Sequence, residues 1–405
     1  MPKIQSISAS KKVNSRGDWT VEAIVELSNG IISRHVVPEG ASKGKKEAIS
    51  LPVEIAIYNI ESKIAKALHS FDVYNQKEID SVMISLDGTQ NKIHLGGNAM
   101  LAVSIAVCKA AAQSKNLEPY EYVADLYGNK ILEFPTPVFN ILNGGRHANN
   151  KLTFQEFMVI PARRITYDKA YEMGVHIYRV LKKRLADYGY STDVGDEGGF
   201  APEGLTANLA FEMLRDAASE RYIVGDEVFL GSDVAADSFR KLWRYIVKEE
   251  NLVMDSNALI TYYKEILRKF EIIYLEDVFY ENDHAAWKKF YNDMKERLLI
   301  VGDDLVVTSP HILRDAIEKE MINAVIVKPN QVGTLSETLE FIKIAKTAGL
   351  LTVVSHRSGD TAEDTFIADL AYGVSSDFIK SGAPARGERV SKYNRLYEIY
   401  TKVSK

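Results

Sequence analysis

Five consecutive apolar, strand-like runs in the second half of the chain each end in charged residues: Glu276-Asp277, Asp303-Asp304, Lys328, His356-Arg357 and Lys380. From Glu276 to Asp303, Lys328, His356 and Lys380 the steps are 27, 25, 28 and 24 residues, and amphipathic stretches at 285–298, 311–320 and 335–348 fill the gaps. Such spacing is the period of a β-strand followed by a helix. In a closed barrel of parallel strands, the carboxyl ends converge on one mouth, where chemistry is done. Two acidic pairs, two lysines, a histidine and an arginine around one mouth point to a metal-dependent site for an anionic substrate.

The first third follows another pattern. Trp19–Leu27 and 31–37 alternate apolar and polar residues about Asn29-Gly30, a two-residue hairpin signal. Helical periodicity follows at 52–68, 77–86 and 98–115. Strands first and helices afterwards make an α+β module. The stretch from Gly128 to Pro137, with Pro135 and Pro137 close together, reads as the hinge. The expected division is therefore an α+β domain over 1–127 and a (β/α)8-type barrel over 128–405.

Composition narrows the classes of function. The 405 residues can bury a sizeable core and suit two domains. A formal charge of −5 argues against nucleic acid or an anionic membrane as the main partner. The single cysteine, Cys108, excludes an internal disulfide and reads as a buried structural thiol of a reducing compartment. No run approaches the length of a membrane span and none resembles a signal peptide, so a cytoplasmic setting is expected.

Several longer motifs stand in the predicted loops. They are Gly195-Asp196-Glu197-Gly198-Gly199-Phe200-Ala201-Pro202, Ser355-His356-Arg357-Ser358-Gly359-Asp360, Lys380-Ser381-Gly382-Ala383-Pro384-Ala385-Arg386, Asn143-Gly144-Gly145-Arg146-His147-Ala148, Phe154-Gln155-Glu156-Phe157-Met158 and Lys328-Pro329-Asn330-Gln331-Val332-Gly333-Thr334. Together with Leu86-Asp87-Gly88-Thr89, they make the chain resemble the enolase family over nearly its whole length.

The resemblance implies an N-terminal capping domain on the barrel, a homodimer or higher homo-oligomer, and a small phosphorylated carboxylic acid as substrate. It also implies two Mg²⁺ per site, the second arriving with substrate. Removing a proton α to a carboxylate puts a second negative charge on an anion, which divalent cations can neutralise. A Lys or His base working beside one or two Mg²⁺ is the general pattern of the enolase superfamily. By the same resemblance Asp233, Glu276 and Asp303 would hold the first ion and Ser42 the second, with Asp277 and Asp304 as supporting neighbours. Lys328 would be the general base, its pKa lowered by the cations and Lys380. Glu197 would protonate the leaving hydroxyl, with Glu156 beside it; one of two crowded carboxyls keeps its proton. Arg357 and Ser358 would bind phosphate, with Ser355 as a further substrate-binding residue of the same loop. Lys380 would meet the substrate carboxylate, and His147 and His356 the reacting end.

Some positions depart from the family pattern. The entrance loop reads Glu39-Gly40-Ala41-Ser42-Lys43-Gly44, where ordinary members have Ser-Gly-Ala-Ser-Thr-Gly. Asn14-Ser15-Arg16-Gly17-Asp18-Trp19 replaces Asp-Ser-Arg-Gly-Asn-Pro, Val278 stands in place of a proline, and a segment after Glu47-Ala48 is missing. All lie outside the proton-transfer set. The reading is therefore reversible dehydration of 2-phosphoglycerate to phosphoenolpyruvate. Two alternatives stay open: a paralogue applying this chemistry to a related phosphorylated or phosphonate acid, and a non-enzymatic binding protein.

Overall fold

A computed structural model describes residues 1–40, 44 and 46–404. Ser42 and Lys43 lie outside the described residues.

Three antiparallel strands open the chain: β1 (Ile4–Val13), β2 (Trp19–Leu27) and β3 (Ile32–Val36). The β2–β3 hairpin turns at Gly30, whose φ of 83° a side chain would resist. Helices follow at Val53–Asn59, Gln76–Asp87 and Gly97–Ser114, the first continuing through a π-type turn to Leu68. The helix Gly97–Ser114 is buried almost all round because it lies between this sheet and the barrel. It carries Cys108, whose thiol burial pushes up beyond any ordinary reactivity. A Cβ on Gly333 would stand 3.3 Å from the Gly97 Cα, so the glycine pair lets the Lys328–Thr334 loop approach this helix.

A closed barrel of eight strands follows: β4 (Thr136–Asn143), β5 (Glu156–Pro161), β6 (Val228–Asp233), then, beyond a small sheet β7–β9 (Arg240–Lys241, Arg244–Val247, Leu252–Met254), β10 (Ile272–Glu276), β11 (Leu299–Gly302), β12 (Ala324–Val327), β13 (Leu351–Ser355) and β14 (Phe378–Lys380). The expectation of all-parallel strands needs one correction. β5 runs antiparallel to both β4 and β6, while the other neighbours run parallel. The connection from β4 to β5 is only 144–155, too short for the helix crossover that parallel strands require.

Strand alternation then divides the barrel interior into layers. Met158, Tyr274, Val301, Ile326, Val353 and Phe378 meet inside the barrel as an apolar floor. Because the side-chain period is two, the residue two places on along β10 to β14 also points inward, now at the mouth: Glu276, Asp303, Lys328, Ser355 and Lys380. On β5 the direction is reversed, so its first residue, Glu156, reaches the same mouth, in register with Asn143 and Asp233. Gly231, two places before Asp233, supplies the floor with no side chain; a Cβ there would press on Ile160 and Tyr274 at 3.0 and 3.1 Å.

Candidate active site

Lys380 occupies the centre of the mouth. Its ammonium donates to both oxygens of Glu276 at 2.9 and 2.8 Å and lies 3.4 Å from Glu156 Oε2 and 3.5 Å from Asp233 Oδ2. Burial favours the neutral amine, but these three carboxylates outweigh it and hold the pKa well above the usual lysine range. Glu276, fully buried, also accepts from the Tyr274 hydroxyl at 2.6 Å. Burial and the Asp233 charge push its pKa up to about 7. Burial likewise raises Asp233, which accepts from Gln155 Nε2 at 3.3 Å.

Lys328 pairs with Asp303 on the neighbouring strands, and Gln331 Nε2 donates to the other Asp303 oxygen at 2.9 Å. Burial opposes the charge on each partner, yet the pair wins: Asp303 is held below the carboxylate range and Lys328 above the lysine range. The expected depression of Lys328 is thus not a property of the protein alone. Arg357 and Lys380 do push downward, and the Asp303 charge overrides them.

A second cluster forms the wall of β4 and β5. His147 Nδ1 lies 3.6 Å from Glu156 Oε1 and from Glu197 Oε2, His356 Nε2 lies 3.4 Å from Glu197 Oε2, and Asn140 Nδ2 donates to that oxygen at 3.1 Å. Burial and the Glu197 charge raise Glu156 well above the usual carboxyl range. Glu197, equally buried, is held low by the two imidazoles. Crowded together, the two carboxyls hold one proton between them. Burial lowers the pKa of both imidazoles, that of His356 to about 3, against the Glu197 charge. The Glu197 loop is wedged against its neighbours: Asp196 N donates to His147 O at 3.0 Å, and a Cβ at Gly195 would stand 2.4 Å from that same oxygen. Only glycine permits this approach.

Arg357 reaches into the mouth from the loop after β13. Its Nη1 donates to Glu47 Oε2 at 3.0 Å and Asn330 Oδ1 at 3.1 Å, and its Nη2 to Glu47 Oε1 at 3.4 Å. Glu47 in turn accepts from Gly44 N at 2.7 Å, which ties the entrance loop to this guanidinium. Glu39 pairs backbone to backbone with Gly359 at 2.7 and 2.8 Å. The side chains of Ser355 and Ser358 are buried beside Arg357.

Among the described residues, three side chains whose ligand atoms all lie within 4.8 Å of one another occur twice: His147–Glu156–Glu197 and Asp277–Asp303–Asp304. Asp233, Glu276 and Asp303 are not drawn that close, because the Lys380 and Lys328 ammonium groups stand among them. The donor set nevertheless suits a hard divalent cation: three buried carboxylates, two of them raised in pKa by burial and by neighbouring carboxylates. Asp277 accepts from the backbone N of Asp303 at 3.0 Å and of Asp304 at 2.9 Å, which fixes the strand end that presents Asp303. Val278 is buried immediately after it.

Every named site residue within the described set thus gathers at one mouth. Ser42 lies outside that set.

A family model described as the C-terminal TIM barrel domain of enolase matches residues 131–405, and one described as the enolase N-terminal domain matches 4–123. The chain belongs to the enolase family. It is also 42% identical over 410 residues to an enolase of a Nitratiruptor species, covering 98% of this chain and 96% of that protein. Membership makes it a lyase and agrees with the barrel and capping domain described above. Among the described residues no helix is long and apolar enough to cross a membrane.

The site also contains partners that the motifs alone do not single out. Gln155 and Gln331 lie inside two of the quoted runs, next to Glu156 and three residues after Lys328; each donates to a carboxylate of the mouth. Asn140 carries no such signal, since only the barrel register brings it to Glu197. Glu47 is conspicuous as a charged residue beside the entrance loop, but its partner is 310 residues away.

Proposed function

We propose that the protein reversibly dehydrates 2-phosphoglycerate to phosphoenolpyruvate. One observation carries this reading: an amine and a carboxyl pair face each other across a single acidic mouth. Lys328 ends β12 and Glu156 opens β5, four strands apart around an eight-stranded barrel and hence on opposite walls. An anti elimination needs a base on one face of the substrate and an acid on the other.

Asp233, Glu276 and Asp303 would hold Mg²⁺, which when bound supplies the positive charge that neutralises the developing aci-carboxylate. Lys328 takes the α-proton. Burial, Arg357 and Lys380 lower the pKa of Lys328, and Asp303 and Glu276, which raise it, are among the carboxylates that would hold the cation. Lys380 meets the substrate carboxylate. Arg357 and Ser358 take the phosphoryl group, for which a guanidinium fork is well shaped; the bidentate Glu47 carboxylate holds that fork ready. On the other wall Glu197 and Glu156 share one proton, which leaves with the hydroxyl as water; His147 and His356 hold Glu197 in place. The family reading also brings a cytoplasmic homodimer.

A second reading, the same chemistry on a related phosphonate, is favoured by Glu39. This acid is half-buried at the entrance, pinned by its backbone to the loop that carries Arg357. An acid at this entrance replaces the neutral serine of the family pattern, which bears on which phosphorylated or phosphonate acid enters.

The metal step is checked by chelation. Protein treated with excess chelator is expected to turn over no 2-phosphoglycerate and to regain activity when Mg²⁺ is restored. Full activity in excess chelator would remove the basis for the assigned carboxylates.

A further inference from the structure

A fully buried guanidinium outside the proposed proton-transfer set stands behind the acid wall. Arg389 belongs to the C-terminal helix Gly387–Val403. Its Nη1 donates to Arg357 O at 2.6 Å and lies 2.6 Å from His356 Nδ1. Its Nη2 donates to Ser358 O, to Asp196 O at 3.2 Å and to Ser15 Oγ at 3.5 Å. Asp360 Oδ2 at 3.9 Å and Glu388 Oε1 at 3.6 Å balance its charge. One side chain thus joins the loop that carries His356, Arg357 and Ser358 to the loop that carries Glu197.

A guanidinium has donors and no acceptor, so the His356 Nδ1 facing it must be the acceptor. The ring proton is then on Nε2, the nitrogen that faces Glu197 Oε2 at 3.4 Å. In the opposite tautomer a lone pair would confront that carboxylate, and the Glu197 carboxylate would lose a donor on a buried wall.

We propose that Arg389 is a positioning residue: it locks His356 in the Nε2–H tautomer and fixes the Glu197 loop relative to the phosphate-binding loop. The catalytic meaning of this lock rests on Glu197 acting as the acid in the reaction proposed above. Loss of Arg389 should therefore harm hydroxyl departure far more than α-proton removal, because Lys328 lies on the other wall.

The test uses full-length protein with ¹⁵N-labelled histidine, in wild type, Arg389→Lys and Arg389→Met, the His356 signals being identified by their absence in His356→Asn. Long-range ¹H–¹⁵N spectra should show pure Nε2–H in wild type, the same form largely kept in Arg389→Lys, and the Nδ1–H form appearing in Arg389→Met. Arg389→Met should lose about 10²-fold or more in dehydration, the size of a mispositioned acid, while α-hydrogen exchange falls less than about tenfold. Wild-type His356 in the Nδ1–H form overturns the proposal even if Arg389→Met fails to fold. So does Arg389→Met with its tautomer unchanged, or with exchange and dehydration lost in equal measure. If the wild type shows the Nε2–H form but neither exchanges nor dehydrates 2-phosphoglycerate, the functional reading fails and the tautomer lock stands.

Discussion

Lys328→Ala is expected to abolish turnover of 2-phosphoglycerate and, with it, exchange of the substrate's α-hydrogen with solvent. The other lysine at the mouth, Lys380, is committed to Glu276, Glu156 and Asp233 and cannot substitute. Removing a positioned base costs up to about 10⁴-fold in rate. Glu197→Gln should separate the two half-reactions. The amide keeps the shape and cannot give up a proton to the hydroxyl, so dehydration should fall by about 10²–10⁴-fold while exchange stays measurable. Both variants should be followed by solution NMR of the substrate in ²H₂O and by turnover of the same samples. Equal loss of exchange in the two would contradict the assignment of base and acid to opposite walls.

Glu276→Ala should be nearly as damaging, for two separable reasons. Glu276 is the most thoroughly buried of the assigned metal carboxylates, and its removal deletes one charge from a site that must neutralise a polyanionic intermediate; about 10²–10³-fold in kcat is the scale for losing such stabilisation. It also holds the Lys380 ammonium with both oxygens, so the variant leaves a buried cation short of its main partner. Breaking a buried pair from one side destabilises by about 3–5 kcal/mol, which thermal unfolding would register. Glu276→Gln keeps the packing and the Tyr274 contact but not the charge, so it should recover part of the stability and little of the activity. Wild-type activity in Glu276→Gln would be incompatible with a metal ligand at this position.

The barrel and its mouth are legible in the sequence because two regularities coincide. Charged residues at Glu276, Asp303, Lys328 and Lys380 close apolar strands at a steady interval, and strand alternation turns each one inward above an apolar floor. The reversed β5 is not legible. Its polarity is set by a short connection, and Glu156 opens its strand where the other charges close theirs. β1 is hidden for a related reason: over Ile4–Val13 only Ile4 and Ile7 are buried, too few for a clear alternation. The ion pairs are out of reach altogether. Motifs suggest that Lys328, Lys380 and Arg357 face a substrate, whereas the protein alone satisfies these cations with Asp303, Glu276 and Glu47. Buried charges must find partners, and the nearest available carboxylates serve. Arg389 gives no sign in the sequence because its role depends on two loops that meet only in the folded barrel.

The central claim is tested most directly by the specificity constant of the wild-type protein for 2-phosphoglycerate with Mg²⁺, measured beside a phosphonate analogue of the same acid. The account predicts a kcat/KM for 2-phosphoglycerate in the ordinary enzymatic range of about 10⁴–10⁸ M⁻¹s⁻¹ and a lower value for the analogue. A reversed preference would transfer the same site to the phosphonate reading, and turnover of neither compound would contradict the account.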